Sequence, residues 1–118
     1  MMPKFKAFLK DTNQVLDIEI IFFELGIVKL TNNEFYEFDD IILMQPTGLH
    51  DKHGVEIFEW DILTSQDGTD GLISRFIVKR DEFYTGFIPM NREGYGFNRT
   101  MCEVIGNACQ HPELLEDV

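Results

Sequence analysis

Residues 42–63 read ILMQPTGLHDKHGVEIFEWDIL, and this stretch decides how the rest of the chain is read. It opens inside a short apolar run, Ile41 to Met44, whose length fits a strand better than a helix. Pro46 to Gly54 then reads as a loop, with the turn Asp51-Lys52-His53-Gly54 placing Gly54 where a positive φ is wanted. Beyond it, Phe58, Trp60 and Ile62 alternate with Glu59 and Asp61. That alternation predicts one strand with an apolar face opposed to an acidic face. A short apolar run before the turn and an alternating run after it point to antiparallel β structure.

The flanks repeat the pattern. Phe5, Ala7 and Leu9 alternate with Lys4, Lys6 and Phe8, as in a half-buried strand, and Asp11-Thr12-Asn13 supplies a turn. Val15 to Phe23 is rich in Ile and Phe and suits a second strand, with Ile27 to Leu30 a third after Gly26. On the other side, Gln66 to Gly71 reads as a polar hairpin tip. Gly71 to Lys79 and Phe83 to Met90 read as strands joined at Arg80-Asp81-Glu82, and Glu103 to Gly106 as a last one. Pro112 suits the first turn of a short C-terminal helix, with Glu113 near its positive end and Leu114 and Leu115 able to pack inward. The expectation is a single domain over residues 1–118, mainly β. Its antiparallel strands would form an open, SH3-like or pseudo-barrel sheet, with one or two short helical pieces.

Composition sets the bounds. The chain has 118 residues, 44% of them hydrophobic and 13% aromatic, enough for a core without metals or disulfides. Its two cysteines are too few for a disulfide framework. The basic opening MMPKFKAFLKD has no apolar stretch of the signal-peptide kind, and no run approaches membrane-spanning length. A cytoplasmic, acidic protein without membrane contact is the expectation. The net charge of −11 is uneven: residues 1–10 hold three lysines and no acid, whereas residues 11–62 hold twelve acids against Lys29 and Lys52. Such a block argues against nucleic acid, whose binders draw their affinity from Lys and Arg on phosphates. Two readings stay open, a solvated face and a surface for a basic partner.

At 102–115 the chain reads CEVIGNACQHPELL. Together with 42–63, this resembles the YopX family, whose pattern runs LMQ-aromatic-TGL-x-DK-x-G-x-EIYEGDI, then EVIGN, then NPELL. The opening strand, Lys4 to Asp11, is similar to the family's F-R-A-W-D. The matching positions are Thr47, Gly48, Leu49, Asp51 and Lys52, then Gly54, Ile57 and Asp61, and later Ile105, Gly106, Asn107 and Pro112. The resemblance implies a mainly β fold and a bacteriophage or prophage origin, and it brings no reaction with it. The shared residues read as architecture: Gly48 and Gly54 for turns, Asp61 and Asn107 for backbone hydrogen bonds, Leu49 and Ile57 for packing. Four positions depart from the pattern: Pro46 replaces an aromatic, His53 and His111 replace Asn, and Trp60 replaces Gly. Asn takes the left-handed conformation and caps helices better than His, and Trp60 needs room that Gly does not.

Chemical motifs are weighed against plainer readings. Gly94-Tyr95-Gly96-Phe97 echoes an RNA-stacking signature, but Glu93 stands where a basic residue belongs. Tyr95 and Phe97, with Glu56 and Glu59, are kept as candidate interaction residues. His50, His53, Cys102, Cys109 and His111 lack the spacing of a zinc site, so no metal and no cofactor are expected. Asp67 to Gly71 has a calcium-loop composition without the distal Glu. Glu59 and Asp61, two apart on the expected strand, invite a carboxylate-pair reading. No nucleophile-elbow pattern surrounds Ser65 or Ser74. The leading expectation is a non-catalytic phage or prophage module that binds a protein or self-assembles into a homo-oligomer. The rivals are an acidic decoy for a basic host nucleic-acid-binding protein, and a small metal-dependent hydrolase.

Overall fold

The computed structural model describes residues 4–66, 73–82, 86–91 and 101–115. The chain is mainly β, its sheets are antiparallel, and its helical pieces among the described residues are 3-10 turns rather than α-helices. No closed barrel forms among the described residues. The chain divides into two compact units, Met1–Pro46 and Thr47–Val118.

The first unit is a five-stranded sheet built from β1 (Lys6–Leu9), β2 (Gln14–Phe22), β3 (Ile27–Leu30), β4 (Phe35–Glu37) and β5 (Ile41–Met44), in the order β4-β3-β2-β1-β5. The Asp11-Thr12-Asn13 turn is where it was expected. Asn13 and Asn33 take φ of 59° and 71°, the left-handed conformation that Asn tolerates. Ala7, Leu9, Ile18, Val28, Leu30 and Ile41 form the core, with Phe5, Leu16, Ile21 and Tyr36 packed against it. Simple alternation would put Leu16, Ile18 and Ile20 on one face. A bulge between Ile18 and Ile20 instead turns Ile21 inward opposite Val28 and leaves Ile20 41% exposed.

The sheet must curl. Flat, its outer strands would lie ~19 Å apart at the usual strand spacing. Glu37 and Ile41 on those two strands are joined only by the 3-10 turn Phe38–Asp40, and four residue steps reach at most ~14 Å. The ends of β4 and β5 next to that turn are thus drawn together without pairing.

The second unit holds β6 (Pro46–His50), β7 (Glu56–Phe58), β8 (Asp61–Gln66), β9 (Ile73–Ile77), β10 (Lys79–Arg80), β11 (Phe87–Ile88) and β12 (Glu103–Asn107). β8 is the middle strand between β12 and β9, and β6–β7 and β10–β11 are two-stranded ribbons. Ile57, Leu63, Val78 and Cys102 form its core. A 3-10 turn, Pro112–Leu115, stands where the C-terminal helix was expected. Three expectations need correction. Pro46 to His50 is a strand rather than loop; its proline carries no N–H and sits at the first residue, where a strand tolerates one. The chain does not run straight through residues 58–62: it turns at Glu59-Trp60, ending β7 and starting β8. Phe35–Glu37 is an additional short strand.

Candidate functional site

The motif residues of the second unit are brought together as a set of backbone clamps. Asp51 is 7% exposed, and its carboxylate accepts three backbone N–H bonds. Oδ1 takes those of His53 (2.8 Å) and Val55 (2.9 Å), and Oδ2 takes that of Val104 on β12 (3.0 Å). Burial pushes this carboxyl up, but the three donors together outweigh burial and hold it below the ordinary carboxylate value. One side chain thereby closes the 51–55 turn and pins it to a strand about fifty residues away, helped by the Lys52 N–H donating to the Cys102 carbonyl at 3.0 Å. Gly54 takes the left-handed conformation at φ 80°, so His53 does not have to. Its ring instead lies 3.5 Å from Glu103.

Asp61 repeats the device. It is 7% exposed, and Oδ2 accepts the Phe58 N–H at 2.8 Å across the turn. Trp60, where the family pattern has Gly, keeps the backbone a glycine would adopt, at φ 76°. A non-glycine residue there costs about 1–2 kcal/mol. The turn is held by the Trp60 N–H to the Val78 carbonyl (2.7 Å) and the Ala108 N–H to the Trp60 carbonyl (2.8 Å). Lys79 Nζ sits 3.9 Å from the Trp60 ring centroid. Thr47 Oγ1 donates to the Ile57 carbonyl at 2.7 Å and accepts the Leu49 N–H at 3.1 Å, tying β6 to β7. Asn107 accepts the Gln110 N–H at 2.8 Å through Oδ1, and its carbonyl takes the His111 N–H at 2.9 Å, so it shapes the exit from β12. Gly106 is required by proximity: a Cβ there would lie 2.9 Å from Leu114 Cδ1, so Leu114 packs where a side chain would stand. Leu49 packs against the second unit's core, and Ile57 belongs to it.

This arrangement leaves the carboxylate pair without its expected geometry. Asp61 is buried under a backbone N–H, Glu59 is half-buried in the turn, and the two do not lie on one extended strand. Glu56, half-buried, begins β7; Tyr95 and Phe97 lie outside the described residues, as do Glu93 and the 67–71 segment. Among the described residues, no group of three or more His, Cys, Asp and Glu is placed to hold a metal ion. Every buried side-chain nitrogen and oxygen among them has a hydrogen-bond partner. Cys102 is buried in the core, and Cys109 is half-buried, its thiol pushed up by burial and by Asp61 and Glu59 against a smaller effect of Lys79. Among the described residues no helix is long and apolar enough to cross a membrane.

The first unit presents a different kind of surface. Ile21, Phe23, Phe38, Ile41 and Leu43 line an apolar groove of about 190 Å³. Phe23 and Phe38 meet edge to face with ring centroids 6.4 Å apart. Phe23 is 76% exposed, and Leu25 beside it 70%. A second, polar recess is lined by Lys10, Asp11, Tyr36 and Asp40. There the Tyr36 hydroxyl donates towards Asp11 and Glu34, and burial, then those two carboxylates, raise its pKa. Sequence reasoning did not find the groove. The available signal was a large apolar residue beside an acid within a turn, as in Phe23-Glu24-Leu25 and Phe38-Asp39-Asp40.

The pattern of one known family, described as YopX protein, matches residues 4–116. Among solved structures, the chain is similar to protein EF1440 from Enterococcus faecalis, with 24% identity, a TM-score of 0.70, and coverage of 98% of this chain and 99% of that one. At that identity the likeness speaks for the fold. No curated protein matches the chain.

Proposed function

The chain belongs to the YopX family, and from that premise we propose that it is a non-catalytic module of phage or prophage origin that works in the host cytoplasm by holding a protein partner. One observation carries this reading. Of the side chains matching the family motifs that could have done chemistry, Asp51, Asp61, Thr47 and Asn107 are occupied with backbone groups, and Lys52 pairs with Glu103. Among the described residues, by contrast, most of the exposed large apolar side chains lie in the first unit, where Phe23, Leu25 and Phe35 are each more than half exposed. Exposed apolar patches of this kind mark interaction surfaces. The test is co-purification of the tagged full chain from phage-infected bacteria. A partner retained in fixed stoichiometry is expected; a chain that elutes alone, with light scattering giving a monomer, overturns the reading.

A second reading is favoured by the charge. Asp11, Glu19, Glu24, Glu34, Glu37, Asp39 and Asp40 are all exposed on the first unit, which suits a decoy for a basic, nucleic-acid-binding surface. Binding that falls steeply with salt, and is competed by oligonucleotide, is the outcome that selects the decoy over the general reading.

A further inference from the structure

The groove of the first unit is small, apolar and bordered by acids, and those three properties together select an occupant. Its lining comes from three places: Ile21 on β2 and Phe23 in the turn just after it, Phe38 in the 3-10 turn, and Ile41 and Leu43 on β5. It lies on the inner face where the curl is left open. Ile21 and Ile41 are continuous with the core, whereas Phe23 and Leu43 are 76% and 38% exposed. Three exposed acids are chain neighbours of the lining, Glu24 following Phe23, Glu37 preceding Phe38 and Asp39 following it, while Asp40 lines the polar recess instead. Consecutive Cα atoms are about 3.8 Å apart, so these carboxylates cannot be far from the groove's edge. Lys10 is the base placed against this rim, its ammonium donating to the Asp39 carbonyl at 2.8 Å.

We infer that this groove seats one large apolar side chain of a partner protein's segment, with lysines or arginines on either side of it. The inference rests on the protein-binding reading above and names the surface and the chemistry of the partner. A volume of about 190 Å³ is below the 300 Å³ or so of small-molecule sites. It fits a single anchoring side chain of the hot-spot kind, which an interface buries at its centre. The acidic rim decides what flanks the anchor. A second copy would bring the same three carboxylates and the same net charge of −11, and like charges facing each other oppose association. Anionic lipid and nucleic acid are repelled on the same ground. A basic segment gains from every rim carboxylate and is steered towards the groove before contact.

The test selects peptides from a random displayed library on the immobilised full chain, then titrates the enriched peptide against the chain and its variants. Enriched sequences should carry Phe, Leu or Met with Lys or Arg within two or three positions. Phe23→Ala should weaken the enriched peptide about tenfold or more, as truncating an anchor contact does. Asp39→Lys should weaken it severalfold and flatten its salt dependence. Both side chains are exposed, and an unchanged melting temperature keeps folding out of the comparison. No enrichment, enrichment of acidic or neutral sequences, or binding indifferent to Phe23→Ala overturns the inference. So does a dimer in light scattering that Phe23→Ala dissolves, which would make the groove a self-association site. A partner co-purifying from cells equally with wild type and Phe23→Ala overturns the groove while leaving the protein-binding reading intact. Loss of any partner from both removes that reading itself.

Discussion

The family-motif acids of the second unit and the acids of the first are used in opposite ways. In the second, Asp51 and Asp61 are 7% exposed and accept backbone N–H groups, so their charge serves to hold turns. In the first, seven acids lie exposed and large apolar side chains stand in the turns between them. Counting charge along the chain therefore merges two roles. The motif-rich second unit is where substitutions should unfold the protein, and the first is where they should change what it binds. Each prediction below tests that division.

The largest effect is expected from Asp51→Ala. It leaves three N–H donors without their acceptor, and a loss of roughly 3 kcal/mol or more follows at about 1–3 kcal/mol per buried unmet group. Urea unfolding measures it. The same carboxylate predicts a pH dependence. Its folded pKa lies below its unfolded value, so the folded state binds fewer protons and its stabilising contribution is present above the ordinary carboxylate pKa of about 3.9. It is lost as pH falls through that value towards the depressed one. Unfolding midpoints between pH 6 and pH 3 should show a drop in wild type that is smaller in Asp51→Asn. A wild-type protein as acid-resistant as the variant would break the account of Asp51 as a charged clamp.

Gly106→Ala comes next. The new methyl group meets Leu114 Cδ1 at 2.9 Å and His111 Cδ2 at 3.4 Å. Because Leu114 is a flexible side chain, the cost should be about 1–2 kcal/mol rather than collapse. Hydrogen exchange should locate it in the Pro112–Leu115 turn. At Trp60 the expected result is an ordering: Trp60→Gly more stable than Trp60→Ala by about 1 kcal/mol, because only glycine adopts φ 76° without strain. Equal stabilities would show that the turn relaxes when the indole is removed. The smallest effect belongs to the first unit. Phe23→Ala should change folding stability by less than about 1 kcal/mol, since the ring is mostly exposed and meets Phe38 edge to face. A larger loss would make Phe23 part of a core and erase the contrast between the units.

Much of the fold was legible because short-range physics decides it. Alternation found the strand around Ala7, short apolar runs between turn residues found those around Ile18, Val28 and Val104, and Asn13, Gly26 and Gly54 marked turns at which the structure has positive φ. The architectural reading of Asp61 and Asn107 was available from the resemblance, and both accept backbone N–H groups. Other features were hidden. The bulge between Ile18 and Ile20 breaks the period-two pattern on which strand reading depends. Trp60 is the least expected residue at a left-handed position; hydrogen bonds to Val78 and from Ala108, residues far along the chain, hold it there. The groove could not be read because its walls come from residues 21–43, separated by two turns and joined only when the sheet curls.

By itself, the sequence determined the β class, most turns, the acidic balance and the family, since each rests on residue type and near-neighbour spacing. Tertiary structure alone decided which acids are buried and which are exposed. It also decided that β4 and β5 approach without pairing, and that five apolar side chains are left lining an open groove. The physical reason is the range over which each is set. A turn is decided over about four residues, whereas a carboxylate's burial depends on donors as distant as Val104 is from Asp51.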